Sequence, residues 1–167
     1  ATTWGIQADA LCLATGVTTI VDAGSPGWAN FLAFRDFIAE PARTQILTFV
    51  HISGIGLTYG PVGEMEDMAY ADAERTAFVV HNWPEYCVGI KVRQGKAQVG
   101  ENGVEPLKLA VQAGEMTNTP VMTHIGTGVG IADVLGVMRP GDIITHCFRG
   151  EGGTSLADAL LDNENNV

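Results

Sequence analysis

Three side chains close short β-like segments, and their types invite a chemical reading. Lys91 lies within VGIKVR, His124 closes VMTH and His146 closes IITH. Alternate residues of a strand share a face, so Gly89, Lys91 and Arg93 point one way and Val88, Ile90 and Val92 the other. In parallel α/β architectures the functional side chains gather at the C-terminal ends of strands. Taken singly, a strand-end histidine is more often a hydrogen-bonded structural residue than a ligand, and a lysine is more often an ion-pair partner or a side chain that carries its head to water. Taken together the two histidines change the odds, because neutral imidazole is the commonest metal ligand and a catalytic zinc site draws ligands from several elements around an open position. The lysine is the awkward member, since an ammonium repels a cation.

The elements that must position these groups follow from hydrophobic periodicity. Short β-branched runs alternate with amphipathic stretches of helical length, the pattern of βα units and a parallel sheet. Strands are predicted over 16–23, 44–52, 88–93, 121–125 and 143–147, with helices over 29–39, 72–82, 105–117 and 131–138. Phe31, Phe34, Phe37 and Ile38 share helical spacing, and Asp72 is placed to cap the helix that follows it. The strand centres recur at a mean pitch of about 31 residues, which matches a (β/α)8 barrel divided by eight. The fold class is therefore α/β, a partial (β/α)8 TIM barrel over residues 1–167 as one incomplete domain, with a doubly wound open sheet as the alternative. Ile20 and Ile144 are expected to face inward, and the Gly-rich, acidic stretch 53–70 is the candidate hinge.

Composition excludes other classes. The 167 residues are 46% hydrophobic and 17% charged, the balance of a folded domain. A net charge of −10 without a basic patch argues against nucleic acid or anionic lipid as a partner. No apolar run approaches the roughly 18 to 20 residues of a membrane span, so no membrane role is expected. Cys12, Cys87 and Cys147 form neither a disulfide framework nor a CxxC metal site, which suits a reducing cytoplasm. The opening at Ala1 and the polar ending Asp162 to Asn166 suggest a piece of a longer chain.

Several other residues carry weaker signals. His51 ends the third-strand-like run FVH, and a supporting or structural role is favoured over direct chemistry. His81 falls on the polar side of its helix, where a solvated surface residue is expected. Asp22 is expected to close the turn DAGSPG rather than to line a pocket. Arg93 could meet a substrate carboxylate bidentately or pair with a carboxylate of the barrel. Cys147 follows His146 and so points away from it, towards the core. The run Gly126-Thr127-Gly128-Val129-Gly130 follows a strand and opens a helix, the setting in which amides cradle phosphate, but it is GxGxG with no lysine after it. A nucleotide-binding α/β domain is thus one alternative function, and a catalytically inactive barrel-derived structural or binding module is another.

The longer motifs GVTTIVDAGSPG (16–27), VGIKVR (88–93), PVMTHIG (120–126) and RPGDIITHCFRG (139–150) resemble the amidohydrolase superfamily, and within it the dihydroorotase-like amidohydrolases and deacetylases. The resemblance covers nearly the whole chain. It implies that Lys91 is carboxylated by CO2, that its carbamate bridges two divalent metal ions, with zinc the expected one, and that His124 and His146 bind one of them. Carboxylation turns the repellent ammonium into an anionic oxygen ligand, and it requires the free amine, so burial and nearby cations that depress the lysine pKa are a prerequisite. The same resemblance implies hydrolysis of amide or ester bonds in a small-molecule N-acyl or cyclic amide substrate, with an N-acyl or acetyl compound preferred. A homo-oligomer is left open for the full-length protein. Such enzymes also carry a His-x-His pair ending the first strand and a catalytic aspartate ending the eighth, and neither is in this sequence. The resemblance thus places strands two to six of eight here, assigns no catalytic residue because the aspartate is expected beyond the C-terminus, and implies that the fragment alone is inactive.

Overall fold

The computed structural model describes residues 5–147. Five parallel strands, β1 (Thr19–Asp22), β2 (Gln45–His51), β3 (Cys87–Gln94), β4 (Val121–Ile125) and β5 (Ile143–Thr145), form one sheet in the order β1-β2-β3-β4-β5. Each strand pairs with the next in sequence, as in a (β/α)8 barrel, whereas a doubly wound sheet reverses its order at a switch point. The described residues therefore form part of a TIM barrel, and the open-sheet alternative falls away.

One face of the sheet is packed by helices. Val50, Ile52, Ile90, Val92, Val121 and Ile125 are buried in one cluster that also holds Ala73, Ala77 and Val80 of α3 (Ala73–Asn82) and Leu107, Ala110 and Ala113 of α5 (Glu105–Thr117). Alternation sends Phe49, His51, Gly89, Lys91, Arg93, Met122 and His124 to the opposite, inner face. Ile20 and Ile144 depart from expectation. Ile20 pairs with Ile46 and packs in a second cluster with Phe34 and Ala39, and Ile144 pairs with Thr123 on the helix side. A phase error of one residue moves a strand side chain to the other face, and the inner positions are instead Val21 and Ile143. Both edge residues are exposed, at 48% and 37%.

Local chemistry explains the helices. Asp72 accepts the Arg75 amide N–H at 2.8 Å and so caps α3, as its place in the sequence predicts. Pro106 stands in the first turn of α5, and Asn118 ends that helix at φ 53°. The helix after β1 differs from expectation: α2 (Phe31–Phe34) widens into a π turn over Arg35–Ala39, with the Glu40 amide bonding the Arg35 carbonyl five residues back. The wider turn keeps Ala39 buried and leaves Phe37 80% exposed. The remaining short helices are α1 (Ala8–Cys12), α4 (Lys96–Val99) and α6 (Ile131–Val137).

The stretch 53–70 is anchored rather than hinge-like. The Ser53 hydroxyl donates to the Glu64 carbonyl at 2.7 Å, the Met65 amide donates to the Gln98 carbonyl at 3.0 Å, and the Asn102 side chain donates to the carbonyls of Met65 and Glu66. Glu64 and Met65 are buried, so opening the loop would expose an ion pair and an apolar side chain together. Among the described residues no helix is long and apolar enough to cross a membrane.

Candidate metal centre

The inner face carries a buried polar corner where β2 and β3 end. His51 pairs with Lys91 in register, and Arg93 follows two residues later on the same face. Lys91 is 4% exposed, and its stem runs past Gly24, where an added Cβ would lie 2.3 Å from Lys91 Cγ and 3.3 Å from His51 Cδ2. Gly24, at φ +98°, belongs to the DAGSPG turn. Asp22 closes that turn by accepting the amides of Gly24 and Ser25 at 2.9 and 2.7 Å and the Thr48 hydroxyl at 3.2 Å, as expected for a turn residue.

A carboxylate from the loop completes the corner. Arg93 donates through Nε and Nη2 to the two oxygens of Glu64, each at 2.6 Å. Of the two readings of Arg93, the fork on a barrel carboxylate is the one the fold makes. Burial works to raise the Glu64 pKa, but the guanidinium and His51 prevail and hold it at about 2. The His51 ring nitrogen Nδ1 accepts the Ser53 amide N–H at 3.0 Å, which places the ring proton on Nε2, 3.3 Å from Glu64 Oε1. The His51 pKa is lowered, chiefly by burial and against the pull of Glu64, so the ring is neutral. Lys91 is pushed down to about 7, first by burial and then by the Arg93 charge, with Glu64 opposing.

The two strand-end histidines meet one strand further on. His124 pairs with Thr145, and an extended continuation would send His146 to the other side from Thr145. Instead His146 adopts φ 64°, in the left-handed region, and its ring lies edge-on to His124 with centroids 4.6 Å apart and planes at 78°. This is why β5 stops at Thr145 rather than at Cys147. His124 is half-buried and His146 exposed. Arg139 and Asp142 hold the turn before β5, and Asp142 also accepts the Val121 amide at 2.8 Å, so the starts of β4 and β5 are tied together.

Lys91 and His124 thus share the inner face, with His146 turned onto His124. Among the described residues no group of three or more His, Cys, Asp or Glu side chains is close enough to hold a metal ion. His81 is exposed on α3, as expected, and Cys147 is half-buried beyond the strand end rather than in the core. Gly128, Val129 and Gly130 of the glycine run border a surface cavity of about 530 Å³ that is also lined by Glu101 and Asp133, and its lysine, Lys96, pairs with Glu101 at 2.6 Å. Two carboxylates against one paired lysine do not favour phosphate. Glu64 is the residue that sequence reasoning missed: one of several acids in a Gly-rich loop, with no periodicity to single it out.

No family model matches the chain. A deacetylase from Agrobacterium fabrum and another from Brucella anthropi are each 40% identical over 145 residues, 86% of this chain and 36% of theirs. A deacetylase from Enterococcus faecalis is 36% identical over 153 residues, 90% of this chain and 41% of its own. The crystal structure of a dihydroorotase superposes with a TM-score of 0.78 at 39% identity, over 86% of this chain and 39% of that one. Over the matched part, the chain is similar to deacetylases and to a dihydroorotase. An adenine deaminase structure superposes with a TM-score of 0.85 at 32% identity, over 98% of this chain and 43% of that one. The chain spans 36 to 41% of the length of the curated relatives it matches.

Proposed function

We propose that this chain supplies part of the active site of a metal-dependent hydrolase of amide or ester bonds. Lys91, as its carbamate, and the imidazoles of His124 and His146 would hold two divalent cations, with zinc the first choice. The donor set fits such a group, because two imidazoles 4.6 Å apart stand beside the face that carries a buried amine with a pKa near 7. The observation that carries the reading is the placement: Lys91 is buried on the inner face where the His124 and His146 rings meet, and burial lowers the lysine pKa in the direction that favours the free amine needed to take up CO2. When bound, the cations would lower the pKa of a water and polarise the scissile carbonyl. The residues of the chain hold the site: the DAGSPG turn leaves room for the Lys91 stem, the buried corner keeps water from it, and the left-handed His146 presents a second imidazole beside the first.

The substrate class that the relatives favour is an N-acyl or acetyl compound, with a cyclic amide as the next candidate, since the curated matches are named deacetylases and one structural neighbour a dihydroorotase. No nucleic-acid or membrane partner is proposed, and a cytoplasmic setting suits the three free cysteines. Metal analysis of the full-length protein, with hydrolysis assays on N-acetyl and cyclic-amide panels, tests the reading. Bound divalent metal and turnover on either panel are expected. A folded protein that binds no divalent metal and hydrolyses neither panel would instead be the structural or binding module.

A further inference from the structure

The Lys91 stem is confined by its neighbours more than by bonds of its own. Gly24 leaves the slot that the stem occupies, and the edge of the His51 ring, at Cδ2, borders the same slot. His51 is in turn held at Nδ1 by the Ser53 amide, with Nε2 facing Glu64 Oε1 at 3.3 Å. Glu64 also takes both donors of the Arg93 fork, so the Arg93 guanidinium is drawn onto the loop. His51, Glu64, Lys91 and Arg93 are all buried, and the His51 Nε2 atom has no fully formed hydrogen bond beyond its 3.3 Å approach to Glu64. A surface ion pair would not orient a ring in this way, but a buried carboxylate shared by an imidazole and a guanidinium does.

We propose that Glu64 is a positioning residue for Lys91: through His51 and Arg93 it holds the wall of the slot and keeps the guanidinium away from the place where the lysine's carbamate forms. The inference rests on the reading of Lys91 as a carboxylated metal ligand. In that step the neutral Nζ attacks the carbon of CO2, one N–C bond forms, one proton leaves the nitrogen for solvent, and a carbamate with a single negative charge remains. With Glu64 neutralised, Arg93 becomes the unpaired cation nearest an anionic carbamate and is free to fold onto it, taking up the oxygens that a metal ion would need.

The test uses the full-length protein, 13C-labelled bicarbonate and added zinc, read by 13C NMR of the lysine carbamate and by metal titration, with circular dichroism as the check on folding. The wild type is expected to show a carbamate signal that Lys91→Ala abolishes. Glu64→Gln is expected to fold, to lose the signal and to bind zinc about 10- to 100-fold more weakly, as when a supporting partner of a ligand is removed. Should that single change not fold, the pair Glu64→Gln with Arg93→Gln, which removes the guanidinium and leaves no buried charge unpaired, tests the His51 wall alone, and a smaller but measurable loss of carbamate signal is expected from the lost carboxylate opposite Nε2. Wild-type carbamate and zinc affinity in either folded variant would overturn the positioning role while leaving Lys91 as a ligand. A double variant that fails to fold would show the corner to be structural support alone, which also overturns it. Absence of a carbamate in the zinc-loaded wild type would instead remove the Lys91 reading, and this inference with it.

Discussion

The two halves of the candidate centre are built on opposite plans. At the β2–β3 end, His51, Glu64, Lys91 and Arg93 are all buried, and a loop carboxylate, Glu64, meets Arg93 at 2.6 Å and His51 at 3.3 Å. At the β4–β5 end, His124 is half-buried and His146 exposed, and their meeting depends on a single left-handed residue after a three-residue strand. The difference teaches that one half owes its geometry to the core and the other to an edge. Changes in the first should be felt as stability, and changes in the second chiefly as metal binding.

The largest expected effect is at Lys91. Lys91→Arg in the full-length protein should abolish metal binding and hydrolysis, because a guanidinium is charged at any working pH and cannot be carboxylated. Lys91→Ala should do the same, with partial recovery when a small carboxylic acid supplies the missing oxygens. Metal content and turnover check both. Next comes Arg93→Ala, which leaves Glu64 buried without its main partner and should cost about 3 to 5 kcal/mol in urea unfolding. His146→Ala, in contrast, should change stability by no more than about 0.5 kcal/mol while weakening zinc binding, and equal stability losses at the two sites would erase the distinction.

The acid limb of stability sharpens the same comparison. Glu64 is held at about 2 against an ordinary 4.5, so the folded state binds its proton more weakly than the unfolded state. Its contribution is fully present above about 4.5 and is lost as the pH falls through the folded value. A pH series of urea midpoints between 5 and about 2.5 should therefore be flatter for the Glu64→Gln, Arg93→Gln pair than for the wild type, and a His146 variant should keep the wild-type slope. A last expectation concerns the 167 residues expressed alone. They are expected to turn over no N-acyl substrate and to self-associate through the edges where Val21 and Ile143 are exposed, which size-exclusion chromatography with a hydrolysis assay would reveal.

Much of the architecture was legible in the sequence because it is written in local patterns. β-branched runs at a regular pitch placed all five strands, Asp72 marked the start of α3, and the ends of α5 follow from its periodicity. The faces of the edge strands were less legible: in four residues such as TIVD apolar side chains occupy both faces, so Ile20 and Val21 exchange roles on a one-residue shift of phase. The π turn after Phe34 also escaped, since nothing in RDFIA distinguishes it from an ordinary helix. At the candidate site, Lys91, His124 and His146 were expected to end strands; His124 and His146 lie within one residue of the ends of β4 and β5, whereas β3 runs three residues past Lys91, to Gln94. Glu64 gave no such signal, because its partners Arg93 and His51 lie 29 residues after it and 13 before it. Only the folded sheet brings that loop carboxylate to them.

The central claim is that Lys91, His124 and His146 are ligands of one metal cluster. Crystals of the full-length protein grown with zinc and bicarbonate, with anomalous diffraction recorded on both sides of the zinc edge, test it most directly. The expected result is zinc about 2.0 to 2.2 Å from an imidazole nitrogen of His124 and of His146, and from an oxygen carried on Lys91 Nζ. An unmodified Lys91 with no anomalous peak beside the two histidines would contradict it.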